Sequence, residues 1–356
     1  MRAGERMNWG EKTVLITGGT GSFGRQLTSL LMTDYQPRKI IIFSRDEMKQ
    51  FTMRAEGFDA ANIRYFIGDV RDKDRLYRAF YDVDIVVHAA AMKQVPLMQK
   101  NAREAVRNNI FGLLAILEAA ERNGCESFIF ISSDKSVRPS SVMGATKRVG
   151  ELILSMRPSR MRCLAVRFGN VLGSNGSIVP ILQEQIRTSG ELTITHPDAR
   201  RFFMTIHEAV SLVLQASSIG EHGEILVLDM GRALRIVDLA KTLVRLSGKY
   251  EQEVRIRFSG LRPGEKLCEQ LFHAHESVVP TAHPKIRIAR APVDDWSALE
   301  SQLGELRLAM EIGNDRDISS ALFSIVAAHA PQIPAASVFI AAEETEPALL
   351  RRAARA

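Results

Sequence analysis

The most constraining stretch of the chain is Thr17-Gly18-Gly19-Thr20-Gly21-Ser22-Phe23-Gly24, which follows an apolar run, Thr13 to Thr17, and leads into a helix-period segment, Gly24 to Thr33. Glycines at 18, 21 and 24 permit a tight strand-to-helix turn and let backbone N–H groups approach a pyrophosphate at the helix N-terminus. The spacing is G-x-x-G-x-x-G rather than G-x-G-x-x-G, and such a turn taken alone marks only a bend. Its place between a first strand and a helix points to dinucleotide binding, with Gly18, Thr20, Gly21, Ser22, Phe23 and Gly24 as contacts.

The alternation continues. Apolar runs at 39–43, 63–67, 84–88, 127–132 and 163–168 are separated by helix-period stretches that include 72–80, 105–123 and 145–156. This predicts an α/β fold, a doubly wound parallel sheet of the Rossmann type. A chain of 356 residues, 46% hydrophobic and 25% charged, can hold one large α/β domain or two unequal ones, and whole-chain disorder is excluded. From Asn170 glycines and prolines interrupt the pattern, and one further run, Ile225 to Leu228, is suited to rejoin the sheet. Leu192 to Thr195 and Val254 to Phe258 should build a smaller C-terminal lobe over the strand ends, where ligands of open α/β sheets bind. The expected division is a dinucleotide-binding domain at 10–170 with a returning strand near 225–229, a substrate lobe at 171–292, and an alanine-rich tail at 293–356 with no catalytic role.

Several function classes fall away. No run approaches the ~18 apolar residues of a membrane-spanning helix, and Met1 to Arg6 lead into no apolar signal segment. Cys125, Cys163 and Cys268 stand far apart and fit a reducing compartment, so the expectation is an unanchored cytoplasmic protein. The formal charge of +6 is scattered without a basic block, which favours a positive pocket for a phosphorylated ligand over nucleic acid. His88, His196 and His207 have no metal-ligand spacing, and no metal is expected.

Selectivity between NAD and NADP is set about 20 residues beyond the glycine turn. There stand Ser44, Arg45, Asp46 and Lys49: Ser44, Arg45 and Lys49 suit a 2'-phosphate and favour NADP, while Asp46 on an NAD ribose is the alternative. Asp69 and Val70 after the third strand suit the adenine, and Ala89 and Ala90 after the fourth let a cofactor lie close. At the other end, Ser133-Asp134-Lys135 begins where a strand ends, and Lys147 follows four residues after Met143, on the same helical face. Taken alone, an adjacent Asp and Lys there could simply cap the next segment. An ordinary short-chain dehydrogenase has tyrosine at position 143; methionine cannot move a proton.

Thr17 to Gly24, Ser44-Arg45-Asp46-Glu47-Met48-Lys49-Gln50, Gly68-Asp69-Val70-Arg71-Asp72 and His88-Ala89-Ala90-Ala91-Met92-Lys93-Gln94-Val95-Pro96 resemble the UDP-N-acetylglucosamine 4,6-dehydratases. These are extended short-chain dehydrogenases of polysaccharide biosynthesis. Ser132-Ser133-Asp134-Lys135, the stretches 167–177 and 201–205, and Gly260-Leu261-Arg262-Pro263-Gly264-Glu265-Lys266-Leu267 complete the resemblance, which runs from about residue 10 to 292. It implies a hydro-lyase with a tightly bound nicotinamide cofactor that takes a hydride from C4 of the sugar and returns it to C6, regenerated in each cycle. It implies Asp134 as acid to the C6 oxygen and Lys135 as base at C5, Lys135 requiring burial or a nearby cation to be neutral.

Ser133 replaces the family's usual threonine and keeps the hydroxyl. Met143 resembles the branch that retains the C5 configuration, commonly membrane-attached, whereas the Ser-Arg-Asp-Glu loop resembles the inverting branch; the reading adopted is retention. The C4 hydroxyl proton then leaves by Ser133, a water or Lys147. Lys93, Asn170, Val171, Ser177 and Arg201 are expected at the substrate, with Arg262 and Glu265 clamping the UDP pyrophosphate and ribose. The resemblance also implies a homo-oligomer, formed through the helices at 105–123 and 145–156. Competing readings are an inverting dehydratase, a nucleotide-sugar 4-epimerase, for which Asp134 and Lys135 are superfluous, and a non-catalytic NADP-binding regulator.

Overall fold

A computed structural model describes residues 8–330, apart from 175, 189, 251–252 and 292–294. The alternating runs become β1 (Thr13–Thr17), β2 (Lys39–Ser44), β3 (Ile63–Ile67), β4 (Ile85–His88), β5 (Ser127–Ile131) and β6 (Arg162–Arg167). Between them lie α1 (Ser22–Leu30), α2 (Glu47–Ala55), α3 (Lys73–Ala79), α4 (Val95–Gln99), α5 (Ala102–Val106), α6 (Gly112–Arg122) and α7 (Val142–Met156). β1 and β4 are buried along their whole length, as parallel strands covered on both faces must be.

The second half supplies β7 (Asn170–Val171), α8 (Ile178–Thr188), β8 (Glu191–Ile194), β9 (Arg200–Arg201), β10 (Phe203–Met204), α9 (Ile206–Ile219), β11 (Ile225–Leu228), β12 (Leu234–Arg235), α10 (Ile236–Leu246), β13 (Arg255–Phe258), β14 (Ser277–Pro280) and β15 (Ile286–Arg290). Among the described residues the main sheet has nine strands, in the order β14-β15-β11-β6-β5-β4-β1-β2-β3. β11 rejoins it parallel to β6, as expected, and β15 and β14 extend it antiparallel. Residues 277–290, expected in the smaller lobe, therefore belong to the main sheet. That lobe is built on β8 paired parallel to β13, over a core of Leu182, Ile186, Leu192, Ile194, Leu239 and Leu243. Successive strands run outward from β1 in one direction and from β4 in the other, which opens a crevice between their carboxyl ends at this switch point.

The helix expected at 105–123 starts earlier and contains a π-helical turn, Arg107–Phe111. Such turns push side chains out of helical register. Here Asn109 leaves the register to bracket the 89–94 loop: its Oδ1 accepts from Met92 N–H at 2.9 Å, and its Nδ2 donates to Met92 O and Thr146 Oγ1 at 3.0 Å.

The expected tail is, over its described part, a helical hairpin: α11 (Trp296–Ile312) and α12 (Asp315–Ala328). Among the alanines lie two apolar stripes, Leu299-Leu303-Leu306 and Ile318-Leu322-Ile325, each at i, i+4, i+7. Both are buried in the core that also holds Ile116, Val149 and Ile153 of α6 and α7, and α12 packs on α5 and α7. This chain thus lays its own C-terminal helices over part of the surface expected to meet a second copy. Residues 331–356 of the tail, and Asn175 of the 167–177 motif, lie outside the described residues. Among those described, no helix is long and apolar enough to cross a membrane.

Candidate active site

A cavity of about 740 Å³ follows the crevice from the glycine turn to the 262–266 loop. At the first end Gly18 has φ +68°, and its N–H bonds Phe43 O at 2.9 Å. A Cβ on Gly18 would stand 2.8 Å from Ala90 N, and one on Gly24 only 2.5 Å from Gly19 Cα. Only bare backbone fits, and the result is a cradle at the N-terminus of α1 shaped for a dinucleotide pyrophosphate. Thr20, Gly21, Ser22, Phe23, Val70, Ala89 and Ala90 line the same end.

Ser44, Arg45, Asp46 and Lys49 lie together there. Asp46 is committed to capping α2, accepting from Lys49 N–H at 3.0 Å, and that bond holds its carboxyl below the usual range. The Arg45 guanidinium reaches Asp69 at 3.6 Å. Asp69, expected at the adenine, does not line the cavity. Its carboxylate is gripped by Arg71 through Nε and Nη2 at 2.9 and 2.8 Å.

At the second end β5 stops at Ile131, and Ser133 caps a single 3-10 turn, Asp134–Ser136. Lys135 Nζ donates to Asp134 Oδ1 and Asn170 Oδ1, both at 3.0 Å, and lies 3.7 Å from Glu269 Oε1. Burial alone would pull Lys135 down, but Asp134 and Glu269 outweigh it and hold the ammonium above the ordinary lysine value. The sequence-based condition that this amine be lowered is therefore not met in this state. Its side chain is 20% exposed, to the cavity.

Asp134 is fully buried and does not line the cavity. Its Oδ1 also accepts from Ser133 Oγ at 3.0 Å, while its Oδ2 is buried without a hydrogen-bond partner, beside Gly169. Any proton it exchanges with a bound molecule passes through Ser133 or Lys135.

α7 is capped by Ser141, whose Oγ accepts from Gly144 N–H at 3.1 Å. It presents Met143 and, one turn on, Lys147 to the cavity. Lys147 Nζ donates to Ile131 O at 2.7 Å above the Phe130 ring, and burial lowers it to about 8. Beneath the glycine turn His88 lies 2.7 Å from Thr17 Oγ1, and burial lowers it to about 3, so it is neutral.

Lys93, lowered by burial, lines the cavity with Asn170, Val171, Ser177, Arg201, Arg262 and Glu265. Ser177 Oγ is buried and unpartnered. Arg201 and Glu265 are paired at 2.8 Å; Thr195 Oγ1 donates to Glu265 at 2.9 Å and Arg262 N–H at 3.2 Å. Glu265 thus steadies Arg201 and the backbone at Arg262. Of all the site residues expected from sequence, only Asp69 and Asp134 stand off the cavity wall.

Three carboxylates escaped the sequence reading. Glu269 lines the cavity, while Glu151 and Glu276 lie beneath the 133–136 turn. Glu151 Oε1 accepts from Ser132 Oγ and lies 2.8 Å from Ser136 Oγ, so it holds the turn at both ends. Arg167 Nη2 bonds Glu151 at 2.8 Å and Nη1 bonds Glu276 at 2.8 Å, with Arg148 3.4 Å from Glu151. Burial would raise Glu151, yet Arg167 and Arg148 hold it at about 2. An isolated acid in a helix and an arginine in a strand give no local signal of this pairing.

A family model described as "Polysaccharide biosynthesis protein" matches residues 14–291. Probable polysaccharide biosynthesis protein EpsC of Bacillus subtilis is 45% identical over 81% of this chain but 49% of its own length. The chain thus spans about half the length of the first curated relatives it matches. A UDP-N-acetylglucosamine 4,6-dehydratase (inverting) of Campylobacter jejuni is 41% identical over 75% of this chain and 79% of that one, and a UDP-glucose 4-epimerase of Rickettsia bellii is 40% identical over the same shares. The solved structure of Pen from Bacillus thuringiensis superposes with a TM-score of 0.75 at 35% identity, covering 81% of this chain and 89% of that one.

Proposed function

The chain belongs to the polysaccharide biosynthesis protein family, and from that premise we propose that it is a nucleotide-sugar 4,6-dehydratase acting on UDP-N-acetylglucosamine. The observation that carries the reading is Lys135, set between Asp134 and Asn170 on the cavity wall with Ser133 beside it. A dehydratase needs an acid and a base at C5 and C6. An epimerase does not, and it would need a proton carrier at 143, where Met143 stands.

The cradle at Gly18–Gly24 would hold the pyrophosphate of a nicotinamide dinucleotide, and Ser44, Arg45 and Lys49 favour NADP, since Asp46 is occupied as a helix cap. When bound, that group supplies a hydride acceptor for C4 and a hydride donor for C6. Of the routes open to the C4 hydroxyl proton, Ser133, water and Lys147, the Lys147 amine at about 8 is the group able to take it near neutral pH. Once substrate has disturbed its ion pairs, Lys135 passes its ammonium proton to Asp134 across their 3.0 Å contact, and the neutral amine then removes the C5 proton. Asp134, having no surface on the cavity, delivers a proton to the departing C6 oxygen by way of Ser133 Oγ. Arg262 and Lys93 meet the pyrophosphate and sugar.

We keep retention at C5, which rests on Met143; inversion is the second reading, favoured by the relative named as inverting. The free cysteines suit a cytoplasmic setting. The test is incubation with UDP-N-acetylglucosamine followed by proton NMR. In D2O a new C6 methyl signal, reduced to a singlet by deuterium at C5, beside a hydrated 4-ketone establishes dehydration. In H2O a nuclear Overhauser contact between H5 and H3 marks retention and its absence inversion. A product differing only at C4 points to an epimerase. No turnover of any UDP sugar, with NADP binding intact, leaves the regulator reading.

A further inference from the structure

Glu269 has no part in the chemistry derived so far, yet it is buried against Lys135, the lysine proposed as the C5 base. Its side chain is 4% exposed and touches the cavity. One oxygen lies 3.7 Å from Lys135 Nζ, and the other accepts from Lys266 Nζ at 3.0 Å. Lys266 also donates to Val137 O at 2.7 Å, the residue that closes the Asp134–Ser136 turn. The 262–269 segment is therefore fastened to the turn that carries Lys135 by a chain of three charged groups, Lys266, Glu269 and Lys135.

We propose that Glu269 is a positioning residue for Lys135, aiming its amine along the cavity wall and governing when that amine gives up its proton. This rests on Lys135 being the base. The groups facing Lys135 are Asp134 on its own turn, Asn170 on β7, Arg201 on β9 and Glu269, with Lys266 and Glu265 one contact further out. Among the described residues these amount to three cations, Lys135, Lys266 and Arg201, against three carboxylates, Asp134, Glu265 and Glu269. The balance is closed by Glu269. Without it the cluster carries an excess positive charge in a poorly solvated place, where a neutral amine is the cheaper state. With it the resting enzyme holds an ammonium, protected from side reactions until a substrate enters and competes for the carboxylate.

The sign of each perturbation follows. Glu269→Gln removes a negative charge beside the ammonium, so Lys135 should lose its proton about 1 pH unit lower, in line with an opposite charge at such a distance. Lys266→Met removes a cation and frees Glu269 to lean on Lys135, so the titration should move upward.

The experiment uses the full-length holoenzyme and two readouts. Competitive acetylation with acetic anhydride across a pH series, read on the Lys135 peptide by mass spectrometry, follows the amine whether or not the reaction occurs. The acidic limb of kcat with UDP-N-acetylglucosamine follows it in turnover. Expected are a downward shift of both in Glu269→Gln, an upward shift of both in Lys266→Met, and recovery in Glu269→Asp, which restores the charge and controls for folding. An acetylation curve that is unmoved, or moves upward, in Glu269→Gln overturns the proposal. A shift in acetylation with no shift in the kcat limb upholds the role of Glu269 and removes Lys135 as the base.

Discussion

Two groups of charges flank the 133–136 turn, and they are built on opposite rules. Beneath it, Glu151, Arg167, Glu276 and Arg148 are sealed from solvent, and both carboxylates are bonded by the central guanidinium. Above it, Lys135, Asp134, Glu269, Lys266, Arg201 and Glu265 share the cavity wall or lie against it. Their contacts include a 3.7 Å ion pair, and Asp134 Oδ2 has no partner. Complete pairing without water makes a rigid support, because moving any member exposes a buried charge. Incomplete pairing at a wet edge leaves groups that can exchange protons and partners. On the proposed function, the sealed group holds the turn still while the open group reacts.

The contrast is most sharply tested by removing one cation from each side. Lys135→Ala should lower dehydration by about 10²–10⁴-fold with cofactor binding nearly unchanged; normal turnover sinks its assignment as base. Arg167→Met should act the other way, lowering stability by about 3–5 kcal/mol in urea unfolding because two carboxylates are left buried against each other. If it unfolds like the parent, the sealed group is no support.

Acid gives a third measurement. Glu151 titrates near 4.5 unfolded and about 2 folded, so its contribution, about 3 kcal/mol, is fully present above the unfolded value and is lost as pH falls from about 4.5 towards 2. A stability plateau continuing to pH 3 would break this. His88, neutral until about 3, adds a loss that begins earlier, as pH drops below about 6.5, where the unfolded imidazole takes a proton. The smallest effect belongs to Ser136→Ala, which removes one contact between Glu151 and the turn, 2.8 Å long. It should reduce stability by about 1 kcal/mol and kcat severalfold, with KM unchanged; a rise in KM alone would place Ser136 at substrate binding instead.

The glycine cradle was legible because its requirements are local: a glycine turn after a strand works through its own backbone, and eight successive residues state it. The far end of the crevice was legible as a place where it is contiguous, in Ser133-Asp134-Lys135 and Met143 to Lys147. Its reading failed over distance. Lys135 meets Asn170 across 35 positions and Glu276 meets Arg167 across 109, and neither pairing leaves a periodic trace. The alanine-rich end of the chain hid two apolar stripes that a composition count averages away.

The sequence by itself determined the order of strands and helices, the doubly wound sheet, the backbone cradle and the identity of the residues that line most of the cavity, since these follow from periodicity and from short runs of adjacent residues. Only the tertiary structure decided that Asp134 lies behind the wall rather than on it, that Lys135 rests as an ammonium, and that Glu269 and Glu151 hold the turn from its two sides. The reason is physical: the charge state and direction of a buried group are set by whichever other charges the fold brings within a few ångströms, and those are chosen by packing between segments far apart in the chain.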